Sequence, residues 1–303
     1  MGVVDGRIVV VTGAGNGIGR AHAMLFAQEG AKVVVNDLGG ARDGTGASAG
    51  PAQTVVDEIK AAGGEAVANT DDISTWDGAE RLIQTAIDTY GDIHVVVNNA
   101  GILRDRMLVN MTEAEWDAVI QVHLKGTFGP ARIAAAHWRE QSKAGNQPDA
   151  RIINTTSPSG IFGNLGQTNY GAAKAGIAAF TIIAAGELAR YGVTVNAIAP
   201  TALTRMTEDL GGMSVGDDAS KEALAPENIS PLVVWLGSTQ SAGVTGRVFG
   251  VWGTKISVAE GWAYGPSIQR DERWTPGELG EVVPGLVAEA APNAGMSGAR
   301  PTS

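Results

Sequence analysis

The sequence predicts an α/β protein built on a doubly wound, mostly parallel sheet of seven strands. Short Val/Ile-rich runs alternate with longer helical patterns from the first residues to about residue 251. Most of these runs are continuously apolar rather than alternating, as strands covered on both faces require. A glycine-rich turn joins the first run directly to the first helical pattern, which is where a β-α-β unit meets a nucleotide.

The strand segments are 7–12, 32–36, 65–69, 93–98, 151–156, 193–198 and 247–251. Helical patterns fall near 18–29, 52–62, 75–89, 112–140, 168–190 and 227–237. Thr112 and Glu115 have the spacing of a capping box that opens the fourth helix, and Gly30 and Gly63 stand where earlier helices stop. Repeated β-α-β units with right-handed crossovers give a single Rossmann-type domain over residues 1–252. Residues 38–51 are rich in Gly, Ala and Ser and read as a surface loop. Residues 201–225 form a long loop outside a strand's carboxyl end, the position of a lid. Residues 253–303 lose the periodicity and read as a partly irregular C-terminal extension that frays from Ala291.

Composition narrows the function classes. The 303 residues are 44% hydrophobic and 18% charged, enough apolar material for a large core. A net charge of −10 opposes nucleic acid and anionic lipid, so neither nucleic-acid nor membrane partners are expected. Cysteine is absent, which excludes disulfides and thiolate catalysis. His22, His94, His123 and His137 lack the spacing of a helical metal pair, so no metal is expected. No apolar stretch reaches about 18 uninterrupted residues. The start, MGVVDGRIVVVTG, lacks the pattern of a secretory leader, and a cytoplasmic location is expected.

The turn Thr12–Gly19 reads T-G-x-x-x-G-x-G. Its residues Gly13, Asn16, Gly17, Ile18 and Gly19 are candidates for contact with a pyrophosphate at a helix N-terminus. Asp37 ends the second strand 24 residues after Gly13, where a carboxylate accepts from ribose hydroxyls and repels a 2′-phosphate. NAD is therefore the expected cofactor. Asp72 and Ile73 follow the third strand and are candidates for the adenine end, or they simply begin the next helix.

Tyr170 and Lys174 are four apart in a helical segment and share one face. An ammonium beside a phenol favours the phenolate, and such a tyrosine can take a proton from an alcohol as hydride leaves. Ser157, thirteen residues before Tyr170 at the end of the fifth strand, is suited to hold the substrate oxygen. Ser157, Tyr170 and Lys174 are the candidate catalytic residues, and Tyr170 and Lys174 also face the cofactor.

With TGAGNGIG (12–19), Asn98-Asn-Ala-Gly101, Ser157 and Tyr170-x-x-x-Lys174, the chain resembles a short-chain dehydrogenase/reductase over roughly residues 5–250. The resemblance implies hydride transfer between NAD(P) and an alcohol or ketone. It also implies that Asn98, Ala100 and Gly101 support the sheet edge and line the adenosine-ribose pocket, and that Pro200 and Thr204 contact the cofactor. A homodimer or homotetramer is implied as well. VVVNDLGG (33–40), VHLKGTF (122–128) and SGIFGNLGQTNYGAAK (159–174) are similar to the (3R)-hydroxyacyl-CoA dehydrogenase part of peroxisomal multifunctional enzyme type 2. That narrower likeness implies a small-molecule substrate, an acyl thioester or a steroid alcohol.

The chain departs from the family pattern at three places. His123 stands where most members have Asn, and it is read either as a site residue or as a packed helix residue. Pro200-Thr201 replaces Pro-Gly, and Val251-Trp252-Gly253-Thr254 replaces Asp-Gly-Gly. The expected activity is NAD-dependent oxidation of a 3-hydroxyacyl-CoA with a fatty or sterol-derived acyl group. The alternatives are an NADP-linked 3-oxoacyl reductase, a steroid alcohol dehydrogenase and a non-catalytic NAD-binding protein. Four tryptophans, Trp235, Trp252, Trp262 and Trp274, fall toward the C-terminus, either over the substrate cleft or a neighbouring subunit, or as core anchors.

Overall fold

The structure, a computed structural model, describes residues 2–203 and 222–301. Its strands are β1 (Ile8–Thr12), β2 (Lys32–Asn36), β3 (Glu65–Asn69), β4 (Val95–Asn98), β5 (Ala150–Thr155), β6 (Val193–Thr201), β7 (Val248–Trp252) and β8 (Lys255–Ala259). They form one sheet in the order β3-β2-β1-β4-β5-β6-β7-β8, with every neighbouring pair parallel except β7 and β8.

The sheet therefore has eight strands, not seven. Gly253, at φ +54°, and Thr254 make a two-residue turn that returns the chain antiparallel against β7. The region expected to be irregular thus begins with an edge strand. It escaped the Val/Ile criterion because an edge strand is not covered on both faces: Ile256 and Val258 remain exposed. A helix, Pro276–Glu289, lies further along the same region and opens with a Thr275–Glu278 capping box, the same signature that marks residue 112.

Helices cover both faces: α1 (Gly17–Gln28), α2 (Gly50–Ala61), α3 (Trp76–Tyr90), α4 (Glu113–Ile120), α5 (Gly126–Lys143), α6 (Pro158–Phe162), α7 (Thr168–Leu188), α8 (Ser230–Gly237) and α9 (Pro276–Glu289). Alternation along each strand divides the core. Val9, Val11, Val33 and Val35 pack with Phe26, Val56, Ile59 and Leu236 from α1, α2 and α8. Ile8, Val10, Val34 and Val96 pack with Leu82, Ile83, Trp138 and Ala184 from α3, α5 and α7. Gly30 and Gly63 both have positive φ just past α1 and α2, as helix stops should.

The helix expected over 112–140 is interrupted. Between α4 and α5 the chain makes a π-helical turn, Gln121–Lys125. Such a turn adds a residue and rotates the rest of the helix about its axis. Among the described residues, one helical stretch, Thr168–Tyr191, is long and apolar enough to cross a membrane by length and composition. Its inner face, Ala173, Ile177, Thr181, Ala184 and Ala185, is packed within the protein. The surface loop read over 38–51 is present up to Ala49, after which α2 begins. The proposed lid lies largely outside the described residues.

Candidate active site

The strand order reverses between β1 and β4, and the crevice beyond their carboxyl ends is where open α/β sheets take ligands. A cleft of about 1140 Å³ occupies that position. Gly13, Asn16, Gly17 and Ile18 line it, as do Asp37, Asp72, Ile73, Ala100, Gly101, Ser157, Tyr170, Lys174 and Pro200. Residues scattered over nearly two hundred positions of sequence are thereby brought to one wall.

The glycine turn is fixed by space as well as by conformation. Gly13 has φ +63°, and a Cβ there would lie 2.7 Å from Ala100 Cα. Gly19 supports the cradle from behind, since a Cβ on it would stand 2.2 Å from the Gly13 carbonyl oxygen. It does not line the cleft. Asn98 likewise lies behind the wall, its amide donating to Asn154 Oδ1 at 2.9 Å between β4 and β5. Gly19 and Asn98, expected to touch the cofactor, thus stand behind the cleft lining rather than in it, where both support the frame. Thr204 lies outside the described residues.

Asn99 is a residue the sequence reading passed over. Its side chain donates to the carbonyls of Thr12 and Gly13, and its backbone N–H donates to Thr12 Oγ1. It clamps the turn to the end of β4 and also faces the cleft. The signal lay within the Asn98–Gly101 run, where only the neighbours were credited. Asp37 Oδ2 accepts from Gly15 N at 2.7 Å and Oδ1 from Gly39 N at 2.7 Å. The carboxylate is thus held beside the cradle by two backbone donors. A turn whose glycines would be filled by any Cβ, with a fixed carboxylate at its side, fits a dinucleotide carrying free ribose hydroxyls.

Ser157 caps α6, its Oγ accepting from Ser159 N at 3.1 Å. Its hydroxyl also lies close enough to that of Tyr170 to favour the phenolate. Lys174 is buried, donates from Nζ to the Thr155 carbonyl at 2.6 Å, and lies 5.6 Å from the Tyr170 ring centroid. The three side chains meet as the spacing predicts, but the electrostatics differ from the expectation. Desolvation pushes the Tyr170 hydroxyl up to about 12, the Ser157 hydrogen bond pulls it down, and the Asp105 charge adds to the rise. Burial also lowers the Lys174 ammonium to about 7. The lysine neighbour therefore does not produce a depressed phenol here, because the burial that brings the two together weakens the ammonium itself.

The π-helical turn carries His123 beneath this group. The imidazole is 1% exposed and meets the Tyr170 ring at right angles, 5.1 Å between centroids. Nε2 lies 3.0 Å from Ile102 N and 2.7 Å from Ile102 O. Burial, reinforced by Lys174, lowers its pKa to about 3 against the Ile102 bond, so the ring is neutral at physiological pH. Gly101 makes room for it: a Cβ there would sit 2.3 Å from His123 Cε1. His123 is both a packed helix residue and part of the site, supporting the tyrosine and the loop after β4.

The other half of the cleft contains residues to which the sequence assigned no role, although four of them lie within the 159–174 run. Asp105, Ser159, Asn164, Leu165 and Gln167 come from the segments after β4 and around α6. Trp252, Met296 and Ser297 come from the C-terminal region. Met296 lies in the stretch expected to fray. Gly298 N donates to the Gly295 carbonyl, and a Cβ on Gly298 would stand 3.3 Å from the Phe162 ring. Of the four tryptophans, Trp252 lines the cleft while Trp262 is fully exposed.

A parallel α/β sheet with a glycine cradle at its switch point and Ser, Tyr and Lys in the same cleft defines a dinucleotide-dependent oxidoreductase. Residues 7–213 match the short chain dehydrogenase family, and the chain belongs to that family, whose members use a nicotinamide cofactor. A crystal structure of a short chain dehydrogenase from Mycobacterium avium is 58% identical, with a TM-score of 0.87 over 97% of this chain and 99% of that one. The hydroxyacyl-CoA dehydrogenase ChsB1 of Mycobacterium tuberculosis is 44% identical over 288 residues, 91% of this chain and 87% of the relative. Peroxisomal multifunctional enzyme type 2 of Drosophila melanogaster is 47% identical over 259 residues, 85% of this chain but only 41% of that longer protein.

Proposed function

We propose that the protein oxidises the secondary alcohol of a 3-hydroxyacyl-CoA, with a fatty or sterol-derived acyl group, to the 3-keto form using NAD. The observation that carries this reading is the convergence of Ser157, Tyr170 and Lys174 on the cleft that also holds the glycine cradle and Asp37. The relative named as a hydroxyacyl-CoA dehydrogenase supports the substrate class. Asp37 supports NAD, since its carboxylate would oppose a 2′-phosphate.

In this mechanism the Ser157 hydroxyl holds the carbinol oxygen and the Tyr170 oxygen takes its proton. Such general-base help contributes about 10²- to 10⁴-fold. Lys174 Nζ, now on the Thr155 carbonyl, is placed to donate to ribose hydroxyls and, in its charged form, to favour the Tyr170 phenolate that takes this proton. His123 keeps the phenol ring upright. The nicotinamide, when bound, supplies the hydride acceptor. The exposed Phe128 of α5 and Ile182 and Ile183 of α7 support assembly as a homodimer or homotetramer.

A panel of 3-hydroxyacyl-CoA esters of varied length, with a steroid side-chain thioester and a free steroid alcohol, tests the reading with NAD and NADP in parallel. Turnover of the thioesters with NAD is expected. A strong preference for NADPH, or cofactor binding with no turnover of any thioester, overturns it.

A further inference from the structure

A row of polar side chains beside the catalytic pair takes no part in that mechanism. Gln167 sits at the start of α7, three residues before Tyr170, so the two share the face of its first turn. Its side chain is 4% exposed and lines the cleft. Gln167 Oε1 accepts from Ser159 Oγ at 2.8 Å and from Asn164 Nδ2 at 3.0 Å, while Nε2 donates to Asp105 Oδ2 at 2.7 Å. These three bonds fix which end of the amide is which. Turned over, it would set an oxygen against a carboxylate and an NH₂ against two donors.

Two positions in this row are unspent. An amide nitrogen has two hydrogens, and only one is used in the bond to Asp105. Asp105 Oδ1 is buried with no hydrogen-bond partner. The backbone keeps the two walls together, with Arg106 N donating to the Gly166 carbonyl at 2.8 Å and Arg106 bridged to Gln167. Four polar side chains from two separate segments, hydrogen-bonded to one another and facing the cleft, are costly to hold merely as lining.

A 3-hydroxyacyl thioester carries its carbonyl two carbons from the carbinol. With the carbinol oxygen on Ser157 and Tyr170, the carbonyl oxygen falls beside them and needs a donor. We propose that the remaining Gln167 side-chain N–H donates to the thioester carbonyl oxygen, and that Asp105 is the positioning residue that aims it. This rests on the 3-hydroxyacyl reading above and adds what distinguishes such a substrate from a plain secondary alcohol.

The test compares a 3-hydroxyacyl-CoA with its thioether analogue, S-(3-hydroxyalkyl)-CoA, in which a methylene replaces the carbonyl. The wild type is expected to favour the thioester by about tenfold or more in kcat/KM, the scale of one buried hydrogen bond. Gln167→Met, close to the same shape, removes that preference and leaves thioether turnover and NADH binding within about twofold. Asp105→Leu acts in the same direction more weakly. Asp105→Asn, whose amide oxygen can still accept from Gln167, restores most of the preference. Equal losses on both substrates, or an unchanged preference in Gln167→Met and Asp105→Leu, overturn the inference while the function stands. A wild-type protein that binds NADH but oxidises no thioester overturns both.

Discussion

The nucleotide half of the cleft is framed by β1, β2 and β4, and its contacts are set by backbone: glycines that admit no Cβ, and a carboxylate held by two peptide N–H groups. The acyl half draws Asp105, Leu165, Gln167, Trp252 and Met296 from widely separated segments, and its contacts are set by side chains. Ser157, Tyr170 and His123 stand at the boundary. A backbone-built site tolerates few sequences, whereas a side-chain-built site can be refitted for another ligand on the same sheet. The difference explains how one fold keeps its cofactor while its substrates vary.

Tyr170→Phe cuts across the boundary and is the largest expected effect. It removes the proton acceptor but keeps the ring against His123, so turnover falls by about 10³-fold or more while NADH affinity changes by less than about twofold. Steady-state kinetics together with a fluorescence titration of NADH measure both. If affinity fell in step with turnover, the two halves would not be separable.

Gly13→Ala acts on the nucleotide half alone. The new Cβ meets the Ala100 backbone and sits at a φ of +63°, so the turn must shift. An unfavourable conformation of this kind costs about 1–3 kcal/mol, so NADH binding should weaken by about tenfold or more. Acyl-length preference at saturating cofactor should stay as it was. A changed length preference would show that the cradle also shapes the acyl half.

The same division governs what the sequence reveals. β1, β2 and β4 announce themselves because continuous Val runs have no other use than a sheet covered on both faces, and TGAGNGIG because so many glycines are justified only by close backbone approach. Ser157, Tyr170 and Lys174 were legible through helical and strand-end spacing. Their pKa values were not, because these depend on burial that pairwise spacing does not express. Asn98 and Asn99 are adjacent and chemically alike, and only the direction of β4 decides which faces the cleft. β8 and Met296 were missed for one reason: each works by where a loop or edge returns in space, and local pattern is silent on that, whereas Gln167 lay inside the 159–174 run and was simply given no role.

Acid stability probes a buried histidine on each side. His22, packed between α1 and α8 with Nδ1 2.8 Å from Ser230 Oγ, is lowered to about 3 by burial, as is His123. The unfolded chain binds a proton on each near the ordinary value of about 6.5, whereas the native protein does not until about 3. Stability therefore falls as pH drops through that interval, by at most about 1.4 kcal/mol per pH unit for each ring. Denaturant unfolding of His22→Gln between pH 6.5 and 4.5 should show a shallower decline than the wild type, whatever its stability at neutral pH. An unchanged slope would mean that His22 titrates normally in the folded protein.

Met296→Ala is the mildest test and bears on the acyl half alone. The side chain lines the cleft on a C-terminal turn closed by the Gly295–Gly298 bond and lying near the Phe162 ring. Shortening it removes apolar surface that only a longer acyl chain reaches. The ratio of kcat/KM for long over short 3-hydroxyacyl thioesters should drop by about fivefold, the scale of about one methylene of buried contact. The shortest substrate and NADH binding should be unaffected, because neither extends past Tyr170 toward this turn. A uniform loss at every length would instead make Met296 a support for α6 and Ser157, and would move the turn from the side-chain-built half of the cleft into its frame.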